Sequence, residues 1–303
     1  MSVRRALLVG INAYPGAPLR GCINDVQQMK GLLKQYYGFQ DEGIKLLLDG
    51  DATAAGIQAG LGWLAEGGAE ADAVRVFHYS GHGSYVADKN GDEPDGRDEC
   101  LVPVDYQSVG FIIDDVLKTF YDRIPKEGNL TLVMDSCHSG TSNRAPLEED
   151  ILYRFIPVPD AEQVKIDAAA AKYAVAQEKY VLRELKKARS EDLPDAELHK
   201  KVRELMMSFD KKRFGDVRTT EANVLLAGCR PDQTSADAKI AGDYHGAFTY
   251  YLAEAIQQAG GQITYRQLAQ KAGNKLKTAV FAQVPQLEYA AQRDKEPIFR
   301  PFV

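Results

Sequence analysis

Four short aliphatic runs, Ala6-Leu-Leu-Val-Gly-Ile11, Val74-Arg-Val-Phe-His-Tyr79, Leu130-Thr-Leu-Val-Met134 and Asn223-Val-Leu-Leu-Ala227, each stop at a polar or glycine-rich turn. Runs this short and this apolar read as strands buried on both faces, the pattern of a parallel sheet. Between the first two lie helical spacings: Ile23, Val26, Met29 and Leu33, then Ile57, Leu61 and Leu64 behind a cap at Thr53. Another short helix is expected from about Asp114, carrying Val116, Leu117 and Phe120. Strands that alternate with helices need right-handed crossovers, so the expectation is an α/β fold around a mostly parallel sheet. In such folds ligands bind beyond the carboxyl ends of the strands, here the turns after Ile11, Tyr79, Met134 and Ala227.

The chain has 303 residues, 45% hydrophobic and 26% charged, enough for a sizeable core and typical of a soluble globular protein. Its net charge of -6 and the absence of a Lys/Arg stripe interleaved with aromatics argue against a nucleic-acid partner. The apolar run after Arg4 and Arg5 is too short for a secretion signal and no stretch reaches membrane-spanning length, so a cytoplasmic protein with no membrane partner is expected. Four cysteines without a CxxC pair argue against a disulfide framework or a structural zinc, leaving each as a lone thiol. From Thr141 to Thr220 the composition shifts to charged helical patterns, with AAAAKYAVAQEKYVLRELKKA and DAELHKKVRELMMSFDKKRF separated by Ser190–Pro194. The expected organisation is a catalytic part over residues 1–140, a helical insertion over 141–220 and a completing part over 221–303.

In LTLVMDSCHSG, a buried strand delivers Cys137 between Asp135 and His138. A thiol attacks carbonyl carbon as thiolate and needs an imidazole or other positive influence nearby. HYSGHGS, at the end of the second strand, offers His82 between Gly81 and Gly83, whose bare backbone would let a substrate approach; His78 and His138 are weaker candidates. If the two strands are neighbours, His82 and Cys137 emerge at one sheet edge. The period of two puts Asp135 with Cys137 and Ser80 with His82. The N–H groups of Gly83 and Cys137 could then face a developing oxyanion. On spacing alone a buried thiol beside a turn histidine fits equally well, and a metal site from His78, His82, Cys137 and His138 lacks a familiar ligand spacing.

Several motifs in order, ALLVGINAYPGAPLRGCINDV, YSGHGS, GDEPDGRDECLVPVD, IIDD, LVMDSCHSG, VLLAGCRPDQTSADA, GAFTYYL and VPQLEY, resemble the metacaspases and their bacterial relatives, the orthocaspases. The resemblance implies a caspase-hemoglobinase-like three-layer sandwich with a mostly parallel central sheet and a helical insertion. It implies Cys137 as nucleophile, His82 as general acid and base, and the Gly83 and Cys137 amides as oxyanion donors. It further implies cleavage after Arg or Lys in an acidic pocket made by Asp25 and Asp135 and lined by Cys22 and Ser80; the caspase signature Q-A-C-x-G is absent. Two carboxylates would hold a guanidinium and repel an aspartate. Asp25 alone also reads as a first-turn helix carboxylate. Ser235, in DQTSADA, corresponds to a loop that contacts substrate.

Calcium as activator corresponds to Asp98, Asp114 and Asp115, oxygen ligands of the right kind. A fourth aspartate expected beyond the nucleophile has no counterpart where Asn143 and Arg144 stand, and Asp114 also reads as a helix cap. Cys100 and Cys229 are expected to be structural. In the insertion, Lys179, Arg183, Lys186, Lys187 and Arg189 are candidate self-processing sites, since exposed connections concentrate nicking. Expected partners are protein or peptide substrates with a basic residue before the cut bond and a separate activating protease, with the chain a monomer. A caspase-like scaffold that binds without cutting is the competing expectation, against which the Cys137 and His82 pair argues.

Overall fold

The computed structural model describes residues 3–67, 72–87, 97–125, 128–137, 151–187, 194–214, 223–230, 233–289 and 293–301. In chain order its elements are β1 (Arg4–Gly10), α1 (Cys22–Tyr37), β2 (Ile44–Leu48), α2 (Ala54–Ala65), β3 (Val74–Ser80), β4 (Gly83–Ala87), β5 (Arg97–Leu101), α3 (Tyr106–Val109), β6 (Ile112–Ile113), α4 (Asp114–Tyr121), β7 (Asn129–Asp135) and β8 (Ile151–Tyr153). They continue with α5 (Asp160–Lys187), α6 (Asp195–Phe214), β9 (Asn223–Ala227), β10 (Ala236–Ile240), β11 (Asp243–Gly246), α7 (Ala247–Gln258), α8 (Tyr265–Thr278) and β12 (Gln286–Tyr289).

The four aliphatic runs are β1, β3, β7 and β9, and with β2 they make the parallel body of a six-stranded sheet ordered β12-β9-β7-β3-β1-β2; β12 closes one edge antiparallel. Alternation along each strand builds two cores. Ala6, Leu8, Val74, Val76, Val133 and Leu226 pack with residues of α1, α7 and α8 on one face. Leu7, Val9, Phe77, Leu130 and Leu132 pack with residues of α2 and α4 on the other. Thr53 caps α2 by accepting from the Gly56 amide at 3.0 Å. The edge strand β2 escaped the reading of the sequence because its five residues are all half-buried and lie beside only one neighbour.

Two three-stranded sheets, β11-β10-β8 and β4-β5-β6, complete the set. The chain divides into two compact units, the first from residues 1–84, 99–157 and 219–303, the second from 85–98 and 158–218. In the second, Tyr180 of α5 brings its hydroxyl within 3.4 Å of Ser208 Oγ on α6. Residues 151–157, inside the stretch expected to be the insertion, belong to the first unit, because β8 is paired onto β10. Among the described residues no helix is long and apolar enough to cross a membrane.

Candidate active site

Strands β3 and β7 are parallel neighbours with Ser80 opposite Asp135 at their carboxyl ends. Three residues beyond Ser80 and two beyond Asp135, the Gly83 and Cys137 amides donate to one and the same acceptor, the carbonyl oxygen of Arg154, at 3.0 and 3.2 Å. The His82 turn is clamped by two buried tyrosines: its amide donates to Tyr14 Oη at 3.0 Å, and its carbonyl accepts from Tyr79 Oη at 2.7 Å. The Tyr14 ring lies 4.6 Å, centroid to centroid, from the imidazole. Nε2 of His82 is 2.8 Å from the Ala17 carbonyl oxygen, so Nε2 carries the proton and donates it. Nδ1 is buried with no hydrogen-bond partner among the described residues, leaving its lone pair to accept a proton.

The glycines of this turn serve space rather than backbone freedom, since neither Gly81 nor Gly83 has positive φ. A β-carbon on Gly83 would collide with the Cys137 carbonyl, and one on Gly81 would come within 2.5 Å of Tyr14 Oη. It is the protein's own chain that approaches closely there. The Cys137 thiol is fully buried and accepts from the Ser235 amide, with the Ser235 carbonyl oxygen 3.5 Å away. Cys229, expected to be structural, sits beside it: a hydrogen bond with Cys137, then burial, pushes the Cys229 thiol well up.

Beneath the thiol lies an acidic pocket, filled by the side chain of Arg154 with no exposure to solvent. Its Nη2 is 2.8 Å from Asp25 Oδ2 and 3.5 Å from Asp237 Oδ2; its Nη1 is 2.7 Å from Ser80 Oγ, 3.0 Å from the Asp135 carbonyl oxygen and 3.4 Å from Asp135 Oδ2. The carboxylates are themselves braced. Asp25 accepts from Ser80 Oγ at 2.7 Å and from the Gly246 amide at 3.0 Å. Asp135 accepts from Ser235 Oγ at 2.6 Å and from the Thr249 amide and hydroxyl at 2.9 and 2.7 Å. Asp237 accepts from the Arg20 and Gly21 amides at 3.1 and 3.0 Å, and the buried Cys22 Sγ is 4.0 Å from it.

Of the residues expected from the sequence, Cys22, Asp25, Ser80, Asp135 and Ser235 are thus gathered around one guanidinium, with His82, Gly83 and Cys137 around the adjoining carbonyl. Arg154 and Asp237 are additions. Burial would lift the Asp25 carboxyl, but the Arg154 charge, His245 and Ser80 outweigh it and hold it below the usual range. Asp237 goes the other way: burial raises it more than Arg154 and the two amides lower it. Burial likewise opposes the charge on Arg154, yet Asp135 and the other acidic groups keep its pKa well above that of a free guanidinium. Three buried carboxylates against one arginine make a site that strongly favours a cation.

The calcium donors expected from the sequence fall on separate elements. Asp98 is a buried residue of the second unit, whereas Asp114 and Asp115 occupy the first turn of α4 in the first unit. Among the described residues no three His, Cys, Asp or Glu side chains come together to hold a metal ion. His78 is buried in β3 with Nε2 3.4 Å from Thr249 Oγ1. His138, Asn143, Arg144 and Arg189 lie outside the described residues.

Burial depresses both His78 and His82 from an ordinary 6.5 to about 4; for His82 the Ala17 carbonyl opposes this in part. In the unfolded chain both histidines take up protons near 6.5, in the folded chain only near 4. Stability contributed by their neutral forms is therefore complete above pH 6.5 and is lost as pH falls towards 4. At pH 5 each histidine is expected to cost about 2 kcal/mol relative to pH 8. Urea unfolding at the two values measures this, and equal stabilities would rule it out.

The sequence model described as the metacaspase peptidase C14 domain matches residues 4–146. The chain is 33% identical over 314 residues to Metacaspase-1 of Pyricularia oryzae, covering 98% of this chain and 74% of that one. It is 34% identical over 300 residues to Metacaspase-1 of Ajellomyces capsulatus, covering 94% and 79%. Among solved structures it resembles protein GSU0716 from Geobacter sulfurreducens, with a TM-score of 0.64, 23% identity and 99% of both chains covered. It also resembles Caspase-1 from Spodoptera frugiperda, with a TM-score of 0.53, 13% identity, and 96% of this chain and 88% of that one covered. These two likenesses describe a caspase-like α/β fold.

Proposed function

The chain belongs to the metacaspase family of caspase-like cysteine peptidases, and from that premise we propose that it is an endopeptidase cutting after arginine, with Cys137 as nucleophile and His82 as general base and acid. The observation that carries this reading is the seat of Arg154: its side chain among Asp25, Asp135 and Asp237, its carbonyl oxygen on the Gly83 and Cys137 amides. A substrate arginine bound the same way would have its carbonyl polarised where negative charge develops, which is where hydrogen-bond donors accelerate acyl transfer most.

The steps follow from the atoms present. Cys137 leaves the Ser235 amide and passes its proton to the free Nδ1 of His82. The thiolate attacks the arginine carbonyl carbon, and the oxyanion is held by the Gly83 and Cys137 N–H groups. Collapse breaks the C–N bond while Nδ1 protonates the departing amine; water, deprotonated by the same nitrogen, then releases the acyl group from sulfur. Ala17 keeps the proton on Nε2 and so keeps Nδ1 available throughout.

Arginine fits this pocket better than lysine, because its planar fork spans several carboxylates while an ammonium meets them as a point charge. Matched fluorogenic peptides ending in Arg, Lys or Asp, assayed with and without calcium, test the reading. Arg is expected to be turned over fastest, Lys at least about 10-fold more slowly and Asp not at all, one missing hydrogen-bonded contact to a charged group being worth a factor of this order. Turnover of the Asp peptide would overturn the pocket. No turnover and no labelling of Cys137 by an arginine-based electrophile would favour the non-cutting scaffold.

A further inference from the structure

The segment joining α8 to β12, residues 279–285, packs against the loop that carries Ser235. It begins in strain. Val280 holds φ 65°, a left-handed conformation costly for a β-branched residue, where the Val280 and Phe281 amides close the end of α8 on the Lys277 and Leu276 carbonyls at 3.1 and 3.0 Å. Beyond this turn two glutamines fasten the segment and the loop to each other. Gln233 of the loop receives the Val284 amide on Oε1 and donates from Nε2 to the Ala282 carbonyl, both at 2.9 Å. Gln283 is buried, receives the Ala236 amide on Oε1 at 2.9 Å, and donates from Nε2 to the Gly228 carbonyl at 2.9 Å and to Ser235 Oγ at 3.1 Å. A flipped amide would set oxygen against the Gly228 carbonyl and nitrogen against the Ala236 amide, so its orientation is fixed.

Ser235 is where this orientation is felt. Asp135 Oδ1 can only accept, so the Ser235 hydroxyl gives its one proton there, at 2.6 Å, and takes the Gln283 hydrogen on a lone pair. The Ser235 amide meets the Cys137 sulfur, and the Ser235 carbonyl receives the Arg154 amide at 3.1 Å. One residue thus touches the nucleophile, a wall of the acidic pocket and the backbone of the arginine that lies in it. The fit is close: a β-carbon on Gly228 would stand 3.1 Å from Ser235 Oγ and 3.3 Å from Asp135 Oδ1. We propose that Gln283 is a positioning residue of the enzyme: through Ser235 it sets how the Asp135 carboxylate faces the substrate guanidinium and where the Cys137 sulfur rests before attack, and so it sets the preference for arginine over lysine. The inference rests on the reading of Cys137 as nucleophile and of the acidic pocket as the arginine site. A guanidinium fork loses more than an ammonium when a carboxylate turns, because its paired bonds are directional whereas a point charge follows.

The test measures kcat and KM of the full chain on matched arginine and lysine peptides, for wild type, Gln283→Met, Ser235→Ala and the double variant. Methionine keeps the length of the side chain without its donors. In Gln283→Met, kcat/KM for arginine is expected to fall about 10- to 100-fold, the scale of hydrogen bonds that serve a buried charge. The arginine-to-lysine ratio is expected to fall at least about 3-fold, the lower end of what one hydrogen bond contributes. Ser235→Ala is expected to lower the ratio as well, and the double variant no further than the larger single loss, since both changes cut one path. A glutamine that serves folding alone would lower the active fraction, and with it kcat for both peptides alike, leaving KM and the ratio at their wild-type values. That result would overturn the proposal and leave the peptidase reading intact, and so would ratio losses that multiply in the double variant. Gln283→Glu, which keeps the length and the bond from Ala236, is the second variant if methionine fails to fold. Its other oxygen draws the Ser235 proton away from Asp135, so the ratio is expected to fall there too. If wild type is labelled at Cys137 but turns no peptide over, the same ratio is read from labelling rates with arginine- and lysine-based electrophiles. If wild type does neither, the peptidase reading falls and takes the inference with it.

Discussion

Cys137→Ala is expected to lower kcat/KM on an arginine peptide by at least about 10⁴-fold, because the bond-forming atom is gone and no other group can form the acyl intermediate. The two other thiols around the site are poor substitutes. Cys22 and Cys229 are both buried with their pKa values pushed up, Cys22 facing the carboxylates and Cys229 pinned towards the Ser136 and Gln233 carbonyls. His82→Ala is expected to cost about 10²- to 10⁴-fold, the range of a positioned proton carrier. The double variant is expected to be no worse than Cys137→Ala, since the two act as one unit. Alanine at 137 also leaves the Ser235 amide without its sulfur acceptor, a loss of about 1–3 kcal/mol for a buried donor. Unfolding measured beside the kinetics separates this from the chemistry. Residual activity above about a tenth of wild type in Cys137→Ala would remove the nucleophile assignment, a loss far smaller than deletion of a reacting group produces.

The sequence made the frame of this site readable for a physical reason. Strands buried on both faces must be continuously apolar, so β1, β3, β7 and β9 stood out, and their ends mark where a parallel sheet does chemistry. The half-exposed β2 left no such trace. What supplies the site through backbone alone was equally invisible: the Ala17 carbonyl that sets the His82 tautomer carries no side-chain signature. Asp237 was in view within DQTSADA, but only the pairing of β10 with β8 turns it towards the pocket.

Arg154 did leave a signal. Ile-Leu-Tyr-Arg-Phe-Ile is an apolar, strand-forming hexamer with one charge at its centre, in a stretch otherwise dominated by charged helix. A cation in the middle of a segment with that tendency to be buried needs an anionic cavity, and the carboxylates inferred for substrate binding were the available one. The composition of residues 141–220 as a whole concealed it. Grouping Ile151–Ile156 with the two helices that follow it averaged away the one short run that behaves as part of the first unit.

Gly246→Ala tests the pocket without touching a charge. The backbone of Gly246 has φ -66° and ψ 124°, which alanine adopts without strain, so glycine is present there for room rather than for conformation. A β-carbon at this position would fall on Asp135 Oδ2 and within 2.5 Å of Arg154 Nη1. Asp135 cannot easily withdraw, because Ser235 and both donors of Thr249 hold it, so the guanidinium is the group that must give way. The variant is expected to lose about 10²- to 10³-fold in kcat/KM on an arginine peptide, the scale of displacing a buried charge from its partners. Cys137 shares Ser235 with Asp135, so its reaction with a small uncharged alkylating agent is expected to change as well, but by no more than about 10-fold, the scale of coupling between groups with one common partner. Overpacking costs about 1–3 kcal/mol of stability, which a folded protein of this size tolerates. Loss of both rates together would mean that the site as a whole had collapsed. Retention of both would mean that the substrate arginine does not occupy the place where Arg154 lies, and the acidic cluster would then be structural.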